Sequence, residues 1–183
     1  MRLSNSEHES HAWRIGEVAP DFRLVDAWAL PAQGRRQDFA TLLEVIASLD
    51  PAHARSRATR ALFAIRYRVG GWLGWDEQAR PLAIPDDTDA TLSARLPHDL
   101  RGTAAGRQLN SYGFRPLYQT DVEAAAEVSN RTVHGVMQLA WVEHGGGVYR
   151  GRMGVYVKPR GRLGQAYMAA IAPFRHLVVY PAA

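Results

Sequence analysis

The period of the apolar positions changes several times along the chain, and each change marks an element. In "DFRLVDAWAL", Phe22, Leu24, Trp28 and Leu30 fall on alternate positions. This predicts a half-buried strand with Asp26 as the odd member of its inner face. "DFATLLEVIASLD" then shows helical spacing, with Asp38 as a cap and Asp50-Pro51 as the stop. "PAHARSRATRALFAIRYRVGGWLGW" predicts a longer helix with a stripe of Ala58, Leu62, Ile65, Val69 and Trp72. The five arginines from Arg55 to Arg68 flank that stripe. They read as a solvated face with snorkelling stems, the alternative being a surface for anionic lipid or a partner. Residues 76–100 are rich in Asp and Pro and predict loops, with short strands at "RPLAIP" and "ATLSARL".

The second half predicts a three-strand antiparallel meander. "FRPLYQTDVEAAAEV" and "RTVHGVMQLAWVEH" flank a turn at Ser129-Asn130, and "HGGG" separates the second from "VYRGRMGVYVKP". The middle strand is apolar on both faces, which makes it central. In the last strand Tyr149, Met153, Val155 and Val157 face one way, and Arg150, Arg152, Tyr156 and Lys158 the other. "RLGQAYMAAIAPFRHLVVYP" then has helical spacing, with Leu163, Tyr167, Ala170, Ile171, Phe174 and Val178 on one stripe and Pro173 as a kink.

The order strand, helix, helix, several strands, long helix predicts an α+β helix-grip fold. A curved antiparallel sheet wraps around a long C-terminal helix, and the two helices after the first strand plug one end. Residues 1–14 are polar and are expected as a flexible N-terminal tail, with residues 15–183 as one helix-grip domain.

Composition narrows the function classes. The chain has 183 residues and no cysteine, which excludes disulfides, thiolate metal sites and a cysteine nucleophile. The net charge is +4, but Lys158 is the only lysine among 22 basic residues and the arginines are scattered. That pattern reads as the coding bias of a GC-rich bacterium rather than as a phosphate-binding stripe, so no nucleic-acid partner is expected. No apolar run reaches a membrane span and the start lacks a signal-peptide core, so a cytoplasmic protein without a transmembrane segment is expected. "DDTD" lacks the glycine and terminal glutamate of a calcium loop, and neither a metal nor another cofactor is expected. A homodimer is compatible with the chain.

Two stretches carry a family resemblance. "LGQAYMAAIAPFRHLVV", from Leu163 to Val179, resembles the closing motif of an uncharacterised bacterial family, domain of unknown function family 2867. Leu163, Gly164, Tyr167, Pro173 and Phe174 match it. Gln165 stands where the family pattern has Arg, and Arg175-His176 reverses its His-Arg. "RALFAIRYRVGGWLGW" resembles the family's earlier arginine-bearing helix. The resemblance implies a helix-grip fold related to START and birch-pollen-allergen-like proteins.

Candidate chemistry centres on His134. Its strand face also carries Val136, Gln138, Ala140 and Val142, so His134 and Gln138 are candidate polar anchors in an apolar cavity between sheet and closing helix. Tyr118, Tyr156, Tyr167 and Phe174 complete the expected lining. The other reading of His134 is a solvent-facing or satisfied core residue. Asp121 and Glu123 are expected on an outer face, paired with Arg131 or Lys158, and Arg150, Arg152 and Tyr156 on a solvated face, the alternative being a carboxylate-binding face if it turns inward. His8 and His11 fall in the expected tail. The function expected is binding of a small hydrophobic or amphipathic molecule. The alternatives are a cyclase, dehydratase or isomerase of the same fold using His134 as general acid or base, and a non-catalytic interaction module.

Overall fold

The computed structural model describes residues 1–48, 91–103, 114–129 and 133–174, with the backbone alone at 48, 163, 167 and 170–174. The expected arginine-bearing helix lies outside these residues, as do "RPLAIP", Asn130 of the expected turn and the chain beyond Phe174.

The described elements form an α+β protein. Strand β1 (Arg2–Leu3) is followed by helices α1 (Asn5–Glu9) and α2 (Ile15–Val18), strand β2 (Arg23–Gly34) and helix α3 (Phe39–Ser48). Strands β3 (Arg115–Gln119), β4 (Glu123–Ser129), β5 (Val133–Glu143) and β6 (Tyr149–Pro159) come next, then helix α4 (Gly161–Phe174). They build one six-stranded antiparallel sheet in the order β1-β2-β6-β5-β4-β3. β5 is interior, as its two apolar faces require. The expected three-strand meander has four strands. Thr120 breaks "FRPLYQTDVEAAAEV" by donating its backbone N–H to the Glu123 carbonyl at 2.7 Å and accepting the Glu123 N–H at its hydroxyl, which closes a turn. The "HGGG" stretch is the hairpin loop between β5 and β6. Gly145, Gly146 and Gly147 all have positive φ, a conformation that strains other residues.

Three further expectations are corrected. Strand β2 does not keep one alternation. Leu24 registers with Tyr156 and Asp26 with Val155, so a bulge at Val25 flips the phase. Leu24 and Ala27 are buried on one face, and Leu30 packs on the other. "ATLSARL" is a 3-10 turn over Leu92–Arg95, capped by the Thr91 hydroxyl, which accepts from the Ser93 N–H. Residues 1–14 are not a loose tail. β1 pairs with β2, Leu3 is buried and His8 is completely enclosed. Polar side chains hold this segment down by hydrogen bonds, a signal that apolar periodicity does not carry.

The sheet therefore has two covered faces. The first face carries Leu24, Ala27, Tyr118, Ala125, Val136 and Tyr156, under Ile15, Val18, Phe22, Leu92, Leu96 and Leu100 from the N-terminal segment and the 3-10 turns. The second face carries Leu139 and Trp141, under Phe39 and Leu42 of α3. Burying such side chains stabilises the fold by roughly 1.5–3 kcal/mol each.

Candidate functional site

Strand β4 reads Glu-Ala-Ala-Ala-Glu at its start, and period two puts Glu123, Ala125 and Glu127 on the first face. Both glutamates are buried, and each caps a segment of the covering layer. Glu123 Oε2 accepts the Arg14 N–H at 2.8 Å. Its Oε1 accepts the Ile15 N–H at 3.1 Å, the Tyr118 hydroxyl at 2.7 Å and Gln138 Nε2 at 2.8 Å. Arg14 and Ile15 are the N-terminal end of α2, so the carboxylate satisfies donors that the helix leaves unpaired. Glu127 does the same for the turn at Leu92. Its Oε2 accepts the Leu92 N–H at 3.0 Å and His134 Nε2 at 2.8 Å, and its Oε1 accepts the Thr91 hydroxyl. Burial alone pushes the Glu127 carboxyl up. The His134, Thr91 and Leu92 hydrogen bonds outweigh it, so the group titrates below the usual glutamate range.

Gln138 links the first network to the N-terminal segment. Because its Nε2 donates to Glu123, its Oε1 faces the other way and accepts His8 Nε2–H at 2.8 Å and the Tyr156 hydroxyl at 3.4 Å. That assignment leaves His8 Nδ1 as a lone-pair acceptor, buried and without a hydrogen-bond partner among the described residues. The imidazole rests on Gly154. A Cβ there would lie 2.8 Å from His8 Nε2, 2.9 Å from Gln138 Oε1 and 3.0 Å from Tyr156. Burial lowers the His8 pKa below the usual histidine value, Gln138 opposes the shift, and the Arg152 charge adds to it. Burial first, then the Glu123 carboxylate, pushes both the Tyr118 and Tyr156 phenols up, so both stay protonated donors. Gly154→Ala should therefore cost about 1–3 kcal/mol by overpacking. Chemical denaturation measures the loss, and a neutral result would mean that His8 does not sit on Gly154.

Of the six site residues expected from the sequence, Tyr118, Gln138 and Tyr156 meet in this one network. His134 is on the same face but belongs to the Glu127 network, with its ring edge-on to Phe22 at 4.9 Å between centroids. It is a satisfied core histidine. The four therefore bond to partners from the chain itself instead of presenting free anchors. Tyr167 and Phe174 are in α4, and their side chains are outside the description. Two placements are reversed. Glu123 is on the buried face, while Asp121 sits in the turn and pairs with Arg36 at 3.3 Å. Arg152 and Tyr156 face inward, with Arg152 held by Glu7 at 3.0 Å. Sequence reasoning missed His8, Thr91, Glu123 and Glu127. The readable signal was two glutamates four apart in a strand of alanines, which shares one face between carboxylates and small side chains.

Among the described residues no group of three or more His, Cys, Asp or Glu side chains is arranged to hold a metal ion. No described helix is long and apolar enough to cross a membrane. The chain is thus an α+β protein on a six-stranded antiparallel sheet, with one face sealed by polar networks. The profile of the family "protein of unknown function (DUF2867)" matches residues 18–182, and the chain belongs to that family. The segment that carries His8 and Arg14 precedes the matched region. No curated protein and no solved structure matches the chain.

Proposed function

We propose that the protein holds a small apolar or amphipathic molecule between the second face of its sheet and the C-terminal helix α4, in a helix-grip arrangement. One observation carries the reading: the two faces of the central strands differ in chemistry. The first face spends its polar groups on one another and on the covering segments. On the second face, strand alternation sets Met137 on β5 and Met153, Val155 and Val157 on β6, with no break in the β5–β6 register. All four are half-buried. Of these, only Met153 belongs to the cluster that packs under α3. Apolar and flexible methionine side chains suit a wall that adapts to a ligand.

Asp26, in register with Val155, and its ion-pair partner Arg2 at 3.6 Å give that wall a polar rim, which suits an amphipathic molecule. On the helix side the reading assigns the ligand to the stripe of Tyr167 and Phe174. Tyr118, His134, Gln138 and Tyr156 are not ligand contacts in this reading, because their polar atoms serve the opposite face. The element order supports the helix grip, since α4 follows β6 after a single residue, Arg160.

Native mass spectrometry of the purified protein tests the reading against the same sample under denaturing conditions. The expected result is an added small-molecule mass that denaturation removes. A bare protein that also takes up no apolar environment-sensitive dye would overturn it.

A further inference from the structure

We propose that residues 1–13 are an acid-released strap: protonation of His8 lifts β1 and α1 from the sheet and uncovers Gln138, Tyr156 and Arg152 as a polar surface. The inference is independent of a ligand on the second face.

The geometry sets where the strap ends. From Ile15 onward the chain is fixed by fully buried Ile15 and Val18 and by the two backbone bonds to Glu123. Before Arg14 little apolar surface is committed. Leu3 is buried and Trp13 is half-buried. The rest is polar attachment. β1 pairs over two residues, Asn5 Nδ2 donates to the Leu24 carbonyl at 3.0 Å, and the Glu7–Arg152 pair is open to solvent on the Glu7 side. α1 is five residues long, too short to persist without tertiary contacts. His8 is the one completely enclosed side chain in the strap, and its ring lies 5.3 Å from the Trp13 ring between centroids.

That seat accepts only a neutral imidazole. The seat gives Nε2–H an acceptor in Gln138 Oε1, while among the described residues Nδ1 has none, so a proton there would be a buried donor without a partner. The charged groups around the ring disfavour the cation. Arg152 on β6 and His11 in the strap itself oppose a positive charge. Glu123 on β4 favours it but already holds four donors. Gln138 on β5 is neutral and Tyr156 on β6 stays protonated. Glu7 is turned to Arg152. The direction of the His8 shift agrees. A histidine whose folded pKa is depressed stabilises the closed strap fully above the ordinary value of 6.5, and that stability is lost as pH falls below it.

Hydrogen exchange from pH 7.5 down to 5, corrected for its intrinsic pH dependence, reads the strap directly. The reporting amides are His8, Ser10, His11 and Trp13, which donate to Ser4, Ser6, His8 and His11 carbonyls. They should lose at least tenfold protection while β5 and β6 keep theirs, and the loss should track the His8 titration followed by NMR on the same wild-type sample. His8→Gln keeps an N–H donor for Gln138 without a titrating group and should stay closed at both ends of the range. The wild-type comparison decides the matter even where that variant packs poorly. Strap amides that stay protected through the His8 titration, or that open while His8 is neutral, would overturn the proposal.

Discussion

Glu123→Ala should destabilise the fold by about 3–5 kcal/mol, since each buried donor left without an acceptor costs about 1–3 kcal/mol. The loss is large because the substitution strands four donors at once: the Arg14 and Ile15 backbone N–H groups, the Tyr118 hydroxyl and Gln138 Nε2. For a chain of this length the melting temperature should fall by on the order of 10 °C. Glu123→Gln should recover part of the loss, since an amide oxygen in the place of Oε1 keeps three of the donors while its NH2 group faces the Arg14 N–H. Exchange should locate the damage in α2 and the strap ahead of it. A variant with wild-type melting would mean that Glu123 does not hold α2 to the sheet.

Glu127→Ala should cost a similar amount but damage a different place. It takes the acceptor from His134 Nε2–H and the Leu92 N–H, while the Thr91 hydroxyl keeps only Ser93 Oγ at 2.9 Å. Protection should be lost in the Leu92–Arg95 turn rather than in α2. The two networks share no hydrogen bond, so His134→Ala should add to Glu123→Ala within about 0.5 kcal/mol. Against Glu127→Ala it should be non-additive by about 0.5–3 kcal/mol. The Glu127 network also sets an acid limit. A carboxyl whose folded pKa is depressed contributes stability above its ordinary value of 4.5, and that stability is lost as pH falls through the folded value. Wild type should therefore lose stability on acidification below about pH 4.5 by more than Glu127→Ala does. Equal acid sensitivity of the two proteins would contradict the assignment.

Much of the sheet was legible in the sequence. β6 follows from alternation, β5 from an apolar run bounded by turns, the glycine hairpin from its loop chemistry, and the family from the closing motif. The side on which β5 faces its polar cover was not, because both its faces are apolar and period two carries no sign. That single ambiguity misplaced Glu123, Arg152 and Tyr156 together, since all three lie on the same face as Gln138. The bulge at Val25 was hidden for a related reason: Leu24 and Trp28 keep an apparent alternation that one inserted residue divides between faces. The strap was illegible because its hold is polar. Asn5, Glu7 and His8 read as tail residues until their partners, which are 19 to 145 positions away, are known. The candidate site was half legible. Tyr118, Gln138 and Tyr156 do converge, yet what they converge on is Glu123 and His8 of the chain itself.

Neighbouring residues on β6 offer the most direct test of the division between a sealed face and a ligand face. Gly154 lies under His8 on the first face, and Val155 is half-buried on the second. Titration of an apolar environment-sensitive dye into wild type, Gly154→Ala and Val155→Trp separates the two. The account predicts that Val155→Trp abolishes dye uptake by filling the second face, while Gly154→Ala, although less stable, binds the dye as wild type does. Uptake that survives Val155→Trp but is lost in Gly154→Ala would contradict it and put the ligand on the polar face.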